Sequence, residues 1–210
     1  MKRAYSPKEI AAMKWVTLQW GEKWSAPFGF PAENASWFIS GASASGKSSF
    51  VMQLAKELCN YGLVLYMSYE EKVNQSFQKR MGYLGMNEVQ GKFRVATDDT
   101  YDELVSRLKK PKSPKFIIID SFQVADWDYP HAVELMERFP KKCFIWISQE
   151  KKSQPMGAGA VRLKYICDMK IRVVGYKAYC QGRAIGEAGS YYVVWEDGII
   201  QTSNNLSKQE

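Results

Sequence analysis

The octapeptide Gly41-Ala42-Ser43-Ala44-Ser45-Gly46-Lys47-Ser48 fits the pattern G-x-x-x-x-G-K-[ST], and its residue types suit the binding of phosphate. Glycines allow successive backbone N–H groups to turn inward as an anion nest at the positive end of a helix. A lysine ammonium at this spacing bridges β- and γ-phosphates, and the next hydroxyl ligates Mg²⁺. Chance alone yields the pattern in roughly one chain of this length in a hundred, so the flanks must decide. Trp37, Phe38 and Ile39 form a short apolar strand before it. After it, Phe50, Val51, Leu54, Ala55 and Leu58 recur at helical spacing until Asn60 and Gly62 stop the pattern. A buried strand, then the loop, then a helix is the context the motif needs. Gly41, Ala42, Ser43, Ala44, Ser45, Gly46, Lys47, Ser48 and Ser49 are therefore the expected phosphate loop, with a Gly/Ser-rich strand-to-helix turn as the reading that requires no ligand.

Carboxylates come next. The run Phe116-Ile117-Ile118-Ile119 ends in Asp120, at the carboxyl end of a buried strand, where it can hold a Mg²⁺-bound water beside Ser48. Asp120 is followed by Ser121 and not by glutamate, so a water-activating carboxylate has to come from elsewhere. Tyr66-Met67-Ser68-Tyr69-Glu70-Glu71 offers one on the strand that follows the phosphate-loop helix. That strand shares the sheet and opens on the same face, so Glu70, ahead of Glu71, can orient water for in-line attack. The structural alternative is a surface pair of glutamates opening the next helix, where the helix dipole favours them.

The elements that must position these groups alternate. Leu63–Met67 reads as a strand, Val73, Phe77 and Met81 as a helix, and Phe93 and Val95 as a short strand. Tyr101, Leu104, Val105 and Leu108 mark another helix, followed by a basic, proline-broken connector and the strand ending at Asp120. Val133 and Met136 lie on a short helix, and Cys143–Ile147 is an apolar strand ending at Ser148 and Gln149. Continuous apolar strands separated by helices predict an α/β fold with a mostly parallel sheet covered on both faces. Beyond Gln149 the pattern changes to a polar loop over 150–159, a helix, and strands near Ile171–Val174, Ala178–Cys180 and Tyr191–Trp195, an antiparallel extension. The expected organisation is an N-terminal Trp-rich arm over 1–30, one domain over 31–202 and a flexible tail over 203–210. Trp15, Trp20 and Trp24 in the arm suit an adenine-side flap or a packing arm, or else a stacking platform for bases.

Composition narrows the chemistry. With 46% hydrophobic, 14% aromatic and 24% charged residues among 210, the chain is an ordinary globular domain and not a disordered or fibrous one. No apolar run approaches the ~18–20 residues of a membrane span and no signal-peptide core opens the chain, so a cytoplasmic protein with no membrane partner is expected. His131 is the only histidine, which removes multi-histidine metal sites, and the four cysteines contain no C-x-x-C pair. The net charge of +7 permits a polyanionic partner. Lys151 and Lys152 after Gln149, with Arg162 and Lys164 beyond, could neutralise a nucleic-acid backbone, or simply form a solvated basic loop.

In the order of these segments the chain resembles a RecA-like P-loop NTPase core, of the branch containing the DnaB-type replicative-helicase motor, RadA/Sms and KaiC. The resemblance covers about residues 25–200 and rests on FGFPAENASWFISGASASGKSS, LYMSYEE, FIIIDSF, FIWISQ, QEKKSQPMGAGAVRLKYICD and YCQGRAIGEAGSYYVVW. It implies ATP and Mg²⁺ as cofactors, with Gln149 sensing the γ-phosphate and relaying it to the loop behind it. It also implies a DNA-facing role for that loop, a helix ending at Asp168, and Arg183 as a cationic finger reaching a neighbouring subunit. Gln181 stands where the family's accompanying lysine is usual. The resulting expectation is a Mg²⁺-dependent ATPase acting on single-stranded DNA as a ring or filament, a homo-oligomer with ATP between subunits. Its rivals are a nucleotide-dependent switch or assembly ATPase with a protein partner, similar to KaiC, and a small-molecule kinase. A kinase needs an arginine lid after the fourth strand, where only Lys151, Lys152 and Arg162 are found.

Overall fold

Apolar segments too short for helices and rich in Ile, Val and Phe become the centre of one sheet. The computed structural model describes residues 4–182 and 186–206. Its strands are β1 (Trp37–Gly41), β2 (Val64–Ser68), β3 (Phe93–Ala96), β4 (Phe116–Asp120), β5 (Cys143–Lys151), β6 (Gln154–Pro155), β7 (Met169–Val174), β8 (Lys177–Cys180) and β9 (Tyr192–Val193). The helices are α1 (Pro7–Ala11), α2 (Glu22–Phe28), α3 (Lys47–Leu58), α4 (Gln75–Tyr83), α5 (Tyr101–Lys109), α6 (Tyr129–Arg138), α7 (Ala158–Ile166) and α8 (Glu196–Leu206).

Sheet order is β3-β2-β4-β5-β1-β7-β8-β9, with β6 hairpinned onto β5. The strands from β3 through β7 in that order run parallel, whereas β8 and β9 are antiparallel. The expected parallel sheet with an antiparallel extension is what forms. Alternate strand residues feed two cores, as a two-residue period requires. Trp37, Ile39, Tyr66, Ile118 and Ile145 pack with Phe50, Leu54 and Leu58 of α3 on one face. Phe38, Leu65, Ile117, Phe144 and Trp146 pack with Leu104, Leu135 and Leu163 of α5, α6 and α7 on the other. Among the described residues no helix is long and apolar enough to cross a membrane.

Several elements differ from the sequence expectation. The polar stretch over 150–159 continues β5 to Lys151, turns, and returns as β6. Its polar residues hid the hairpin because they sit beyond the apolar part of the sheet. Only Tyr192–Val193 of the 191–195 segment pairs as a strand, and α8 follows, running to Leu206 through the first residues of the expected tail. In the N-terminal segment Trp20 and Trp24 are buried, stacked on one another and, through Trp24, on Tyr192 at 4.3 Å. Trp15 is 64% exposed. The helix α2 was concealed by Pro27, which lies inside it near its end.

Candidate nucleotide site

Register brings the candidate residues to one edge of the sheet. Gly41 at the end of β1 lies opposite Gln149 of β5, and Ser68 of β2 lies opposite Asp120 of β4. Ligands of open α/β sheets bind outside these carboxyl ends. Between β1 and α3, residues 42–46 form a tight loop whose shape requires its glycines. A Cβ on Gly41 would collide with the Val173 carbonyl oxygen and come within 2.8 Å of Ser45 Oγ. Gly46 has φ +98°, a conformation L side chains rarely adopt, and a Cβ there would meet the Tyr176 ring at 2.9 Å. Tyr176 also braces the loop from outside, its N–H donating to the Ser45 carbonyl at 3.1 Å.

Lys47 opens α3 and donates from Nζ to the Ala42 carbonyl at 2.8 Å, closing across the loop. Burial lowers its pKa, while Glu70, Asp120 and Glu150 pull the other way. One ammonium thus faces three carboxylates, an excess of negative charge that a divalent cation would offset. Ser45 Oγ is buried and finds no hydrogen-bond partner among the described residues. This orphaned hydroxyl and the Cβ-free cradle at Gly41 and Gly46 fit a phosphate-bearing ligand. Among the described residues no cluster of three or more His, Cys, Asp or Glu could hold a metal unaided. That suits Mg²⁺, which normally keeps waters and takes one or two protein oxygens plus substrate phosphates.

Burial pushes Asp120 up to about 6; Glu70 adds to this, and the hydrogen bond from Tyr66 with the charges of Lys47 and Arg80 opposes it. The Tyr66 hydroxyl donates to Asp120 Oδ2. Sequence reading missed Tyr66, which looks like any inward-facing strand aromatic.

Glu70 and Glu71 part company. Gln149 Nε2 donates to Glu70 Oε1 at 2.8 Å. Glu71 is ion-paired with Arg80 and accepts from Ser76 Oγ at 2.8 Å. Burial alone would raise its pKa, but the bonds from Arg80 and Ser76 hold it below the usual glutamate value. Glu150 is a further carboxylate that the sequence placed in a loop. Its side chain is 2% exposed, accepting from Ser40 Oγ at 2.8 Å and from Arg172 Nε at 3.1 Å. The signal available for it was the alternation of β5 continuing past Gln149.

The basic candidates are spread over two elements. Lys151 and Lys152 are exposed on the β5–β6 hairpin. Arg162 and Lys164 are on α7, where the Arg162 guanidinium lies 4.2 Å from the Tyr129 ring centroid. Arg183 lies outside the described residues. Asp168 follows α7 and accepts from the N–H and hydroxyl of Ser36, fixing the entry to β1.

Two cavities adjoin. One of about 240 Å³ is lined by Ala44, Gly46, Lys47, Ser48, Ser49 and Tyr176. Another, of about 460 Å³, shares Ser49 and Tyr176 and extends to Gln53, Tyr83, Leu84, Val194 and Trp195. A polar phosphate-sized cavity beside an aromatic one matches the two ends of a nucleotide.

No protein-family model and no curated protein matches the chain. Solved structures do. The flagellar accessory protein FlaH from Methanocaldococcus jannaschii superposes with a TM-score of 0.59 at 17% identity, covering 85% of this chain and 93% of that one. The ATPase domain of a DnaB-like helicase superposes with a TM-score of 0.52 at 15% identity, covering 76% and 79%. Sheet order, loop and these likenesses together establish the architecture: the chain is built on the RecA-like P-loop NTPase fold.

Proposed function

We propose that this protein is a cytoplasmic Mg²⁺-dependent ATPase. The observation that carries the reading is the Gln149–Glu70 hydrogen bond, which sets a candidate base and a candidate sensor together above Asp120 and the phosphate loop. Lys47 would exchange the Ala42 carbonyl for β- and γ-phosphate oxygens, and the loop amides would bind the rest of the triphosphate. Ser48 and Asp120 would hold the cation, which supplies charge neutralisation at the γ-phosphate. Glu70 orients the attacking water and accepts its proton, while Gln149 keeps the carboxylate aimed. The aromatic cavity at Tyr176 and Trp195 gives the base a place to stack.

Single-stranded DNA is the partner this reading favours, gripped at Lys151 and Lys152 and then at Arg162 and Lys164, in a homo-oligomer whose sites lie between subunits with Arg183 contributed in trans. The likeness to the ATPase domain of a DnaB-like helicase supports it. The second reading is a nucleotide-dependent switch with a protein partner, favoured by the fuller overlap with FlaH, a flagellar accessory protein. ATP turnover measured with added single- and double-stranded DNA at two salt concentrations separates them. On the first reading single strands raise turnover and salt abolishes the effect. Turnover indifferent to DNA, with nucleotide-dependent assembly, supports the second. Lys47→Ala must abolish turnover on either, and activity surviving it removes the site.

A further inference from the structure

Gln123 stands three residues past Asp120 and uses both ends of its amide. Nε2 donates to Ser148 Oγ at 2.8 Å and to the Met156 carbonyl at 2.8 Å, and Oε1 accepts from the Gln149 N–H at 3.4 Å. A carbonyl must meet the NH₂ end and a backbone N–H the oxygen, so the partners fix which way the amide faces. Met156 N–H returns to the Gln149 carbonyl at 3.0 Å, and Ser148 Oγ donates to the same carbonyl at 3.0 Å. With Gln149 Nε2 on Glu70, one run of hydrogen bonds joins Glu70, Gln149, Gln123 and Met156.

The far end of that run is the β5–β6 hairpin. Its ladder has two residue pairs, Glu150 with Pro155 and Lys151 with Gln154. Lys152 and Ser153 turn it with φ of 50° and 62°. A hairpin so short is not stable by itself in water. Its position therefore depends on side-chain ties, and Gln123 supplies the one that reaches back to the segment leaving Asp120.

We propose that Gln123 is a positioning residue that couples the nucleotide state at Glu70 and Gln149 to the hairpin over 150–157. This rests on the reading of Glu70 and Gln149 as the γ-phosphate side of the site. A ligand moves an equilibrium only by its differential interaction with two arrangements. A γ-phosphate competing for the Gln149 amide alters the hold on Glu70, and the Gln149 main chain transmits the change through Gln123 to the Met156 carbonyl.

The test is trypsin cleavage after Lys151 and Lys152, followed with Mg²⁺ and a non-hydrolysable ATP analogue or with Mg²⁺ and ADP, while a fluorescent nucleotide reports affinity separately. In the unmodified protein the two cleavage rates differ by about fivefold or more, as expected from gaining or losing one or two hydrogen bonds. Gln123→Glu keeps size and the acceptor for Gln149 N–H but sets a carboxylate oxygen against the Met156 carbonyl. It brings the ratio of the two rates below about twofold while both affinities stay within about threefold. A purely structural role raises both rates by one factor and leaves the ratio intact, which overturns the proposal. Gln123→Met is read the same way if the glutamate variant does not fold. Normal nucleotide binding with a ratio of one in the unmodified protein overturns the coupling alone, whereas no nucleotide binding at all removes the ATPase reading and the coupling with it.

Discussion

Gln149 of β5 donates to Glu70, just past β2, across the intervening strand β4 that ends in Asp120. The bond spans the strand that carries the metal-side carboxylate and fixes the direction of an exposed glutamate. Glu71, one residue on, is held away by Arg80 and Ser76. Two adjacent carboxylates, indistinguishable as residue types, receive different work from their neighbours.

Replacement of Glu70 by Gln should lower ATP turnover by about 10²–10⁴-fold while nucleotide still binds, the range for loss of a general base. Glu71→Gln should cost less than about tenfold, since its role is to hold Arg80. Phosphate release and nucleotide binding measured on both variants decide it, and a reversed order of effects would refute the assignment.

Tyr66→Phe removes the hydroxyl donating to Asp120 and nothing else of size. Loss of such a partner typically weakens metal affinity by about tenfold or more and costs about 1 kcal/mol of stability. A Mg²⁺ titration of turnover together with urea denaturation reports both, and an unchanged Mg²⁺ dependence would show that Asp120 needs no such support.

Stability should fall on the alkaline side. Burial pushes the Cys59 thiol up to about 11 and Cys167 to about 12, and lifts Cys143 well above its ordinary value. Burial likewise raises Tyr101 to about 12 and shifts Tyr66, Tyr69 and Tyr192 upward. Each group keeps its proton more tightly folded than unfolded. Its contribution is therefore complete below the ordinary values, 9.0 for the thiols and 10.0 for the phenols, and is lost as pH climbs through the raised ones. Thermal midpoints from about pH 8 to about pH 11 should decline by about ten degrees or more, and a flat profile would contradict the sign.

The N-terminal tryptophans should separate sharply. Trp24, buried against Tyr192, Phe28 and Phe50, should cost about 3–5 kcal/mol on truncation to Ala. Trp15→Ala should stay within about 0.5 kcal/mol, as for surface substitutions generally. Urea midpoints of the two variants test this, and equal effects would mean the exposed ring is held by something beyond this chain.

The sequence alone determined the features that are local. The phosphate loop is legible because its backbone demands are met by contiguous residues, Gly41 and Gly46 bracketing a turn between a strand and a helix. The buried parallel strands are legible because each is an unbroken apolar run, and Asp120 and Glu70 because they end such runs. What only the tertiary structure decided is which distant side chains meet. Tyr66 with Asp120, Ser40 and Arg172 with Glu150, and Gln123 with Met156 are separated by 54, 110, 22 and 33 residues. Those pairings follow from strand order and register, with β4 between β2 and β5 and β1 between β5 and β7. A side chain's own sequence neighbours carry no record of that order, so a buried tyrosine, a loop-like glutamate and an ordinary glutamine stayed silent until the sheet aligned them.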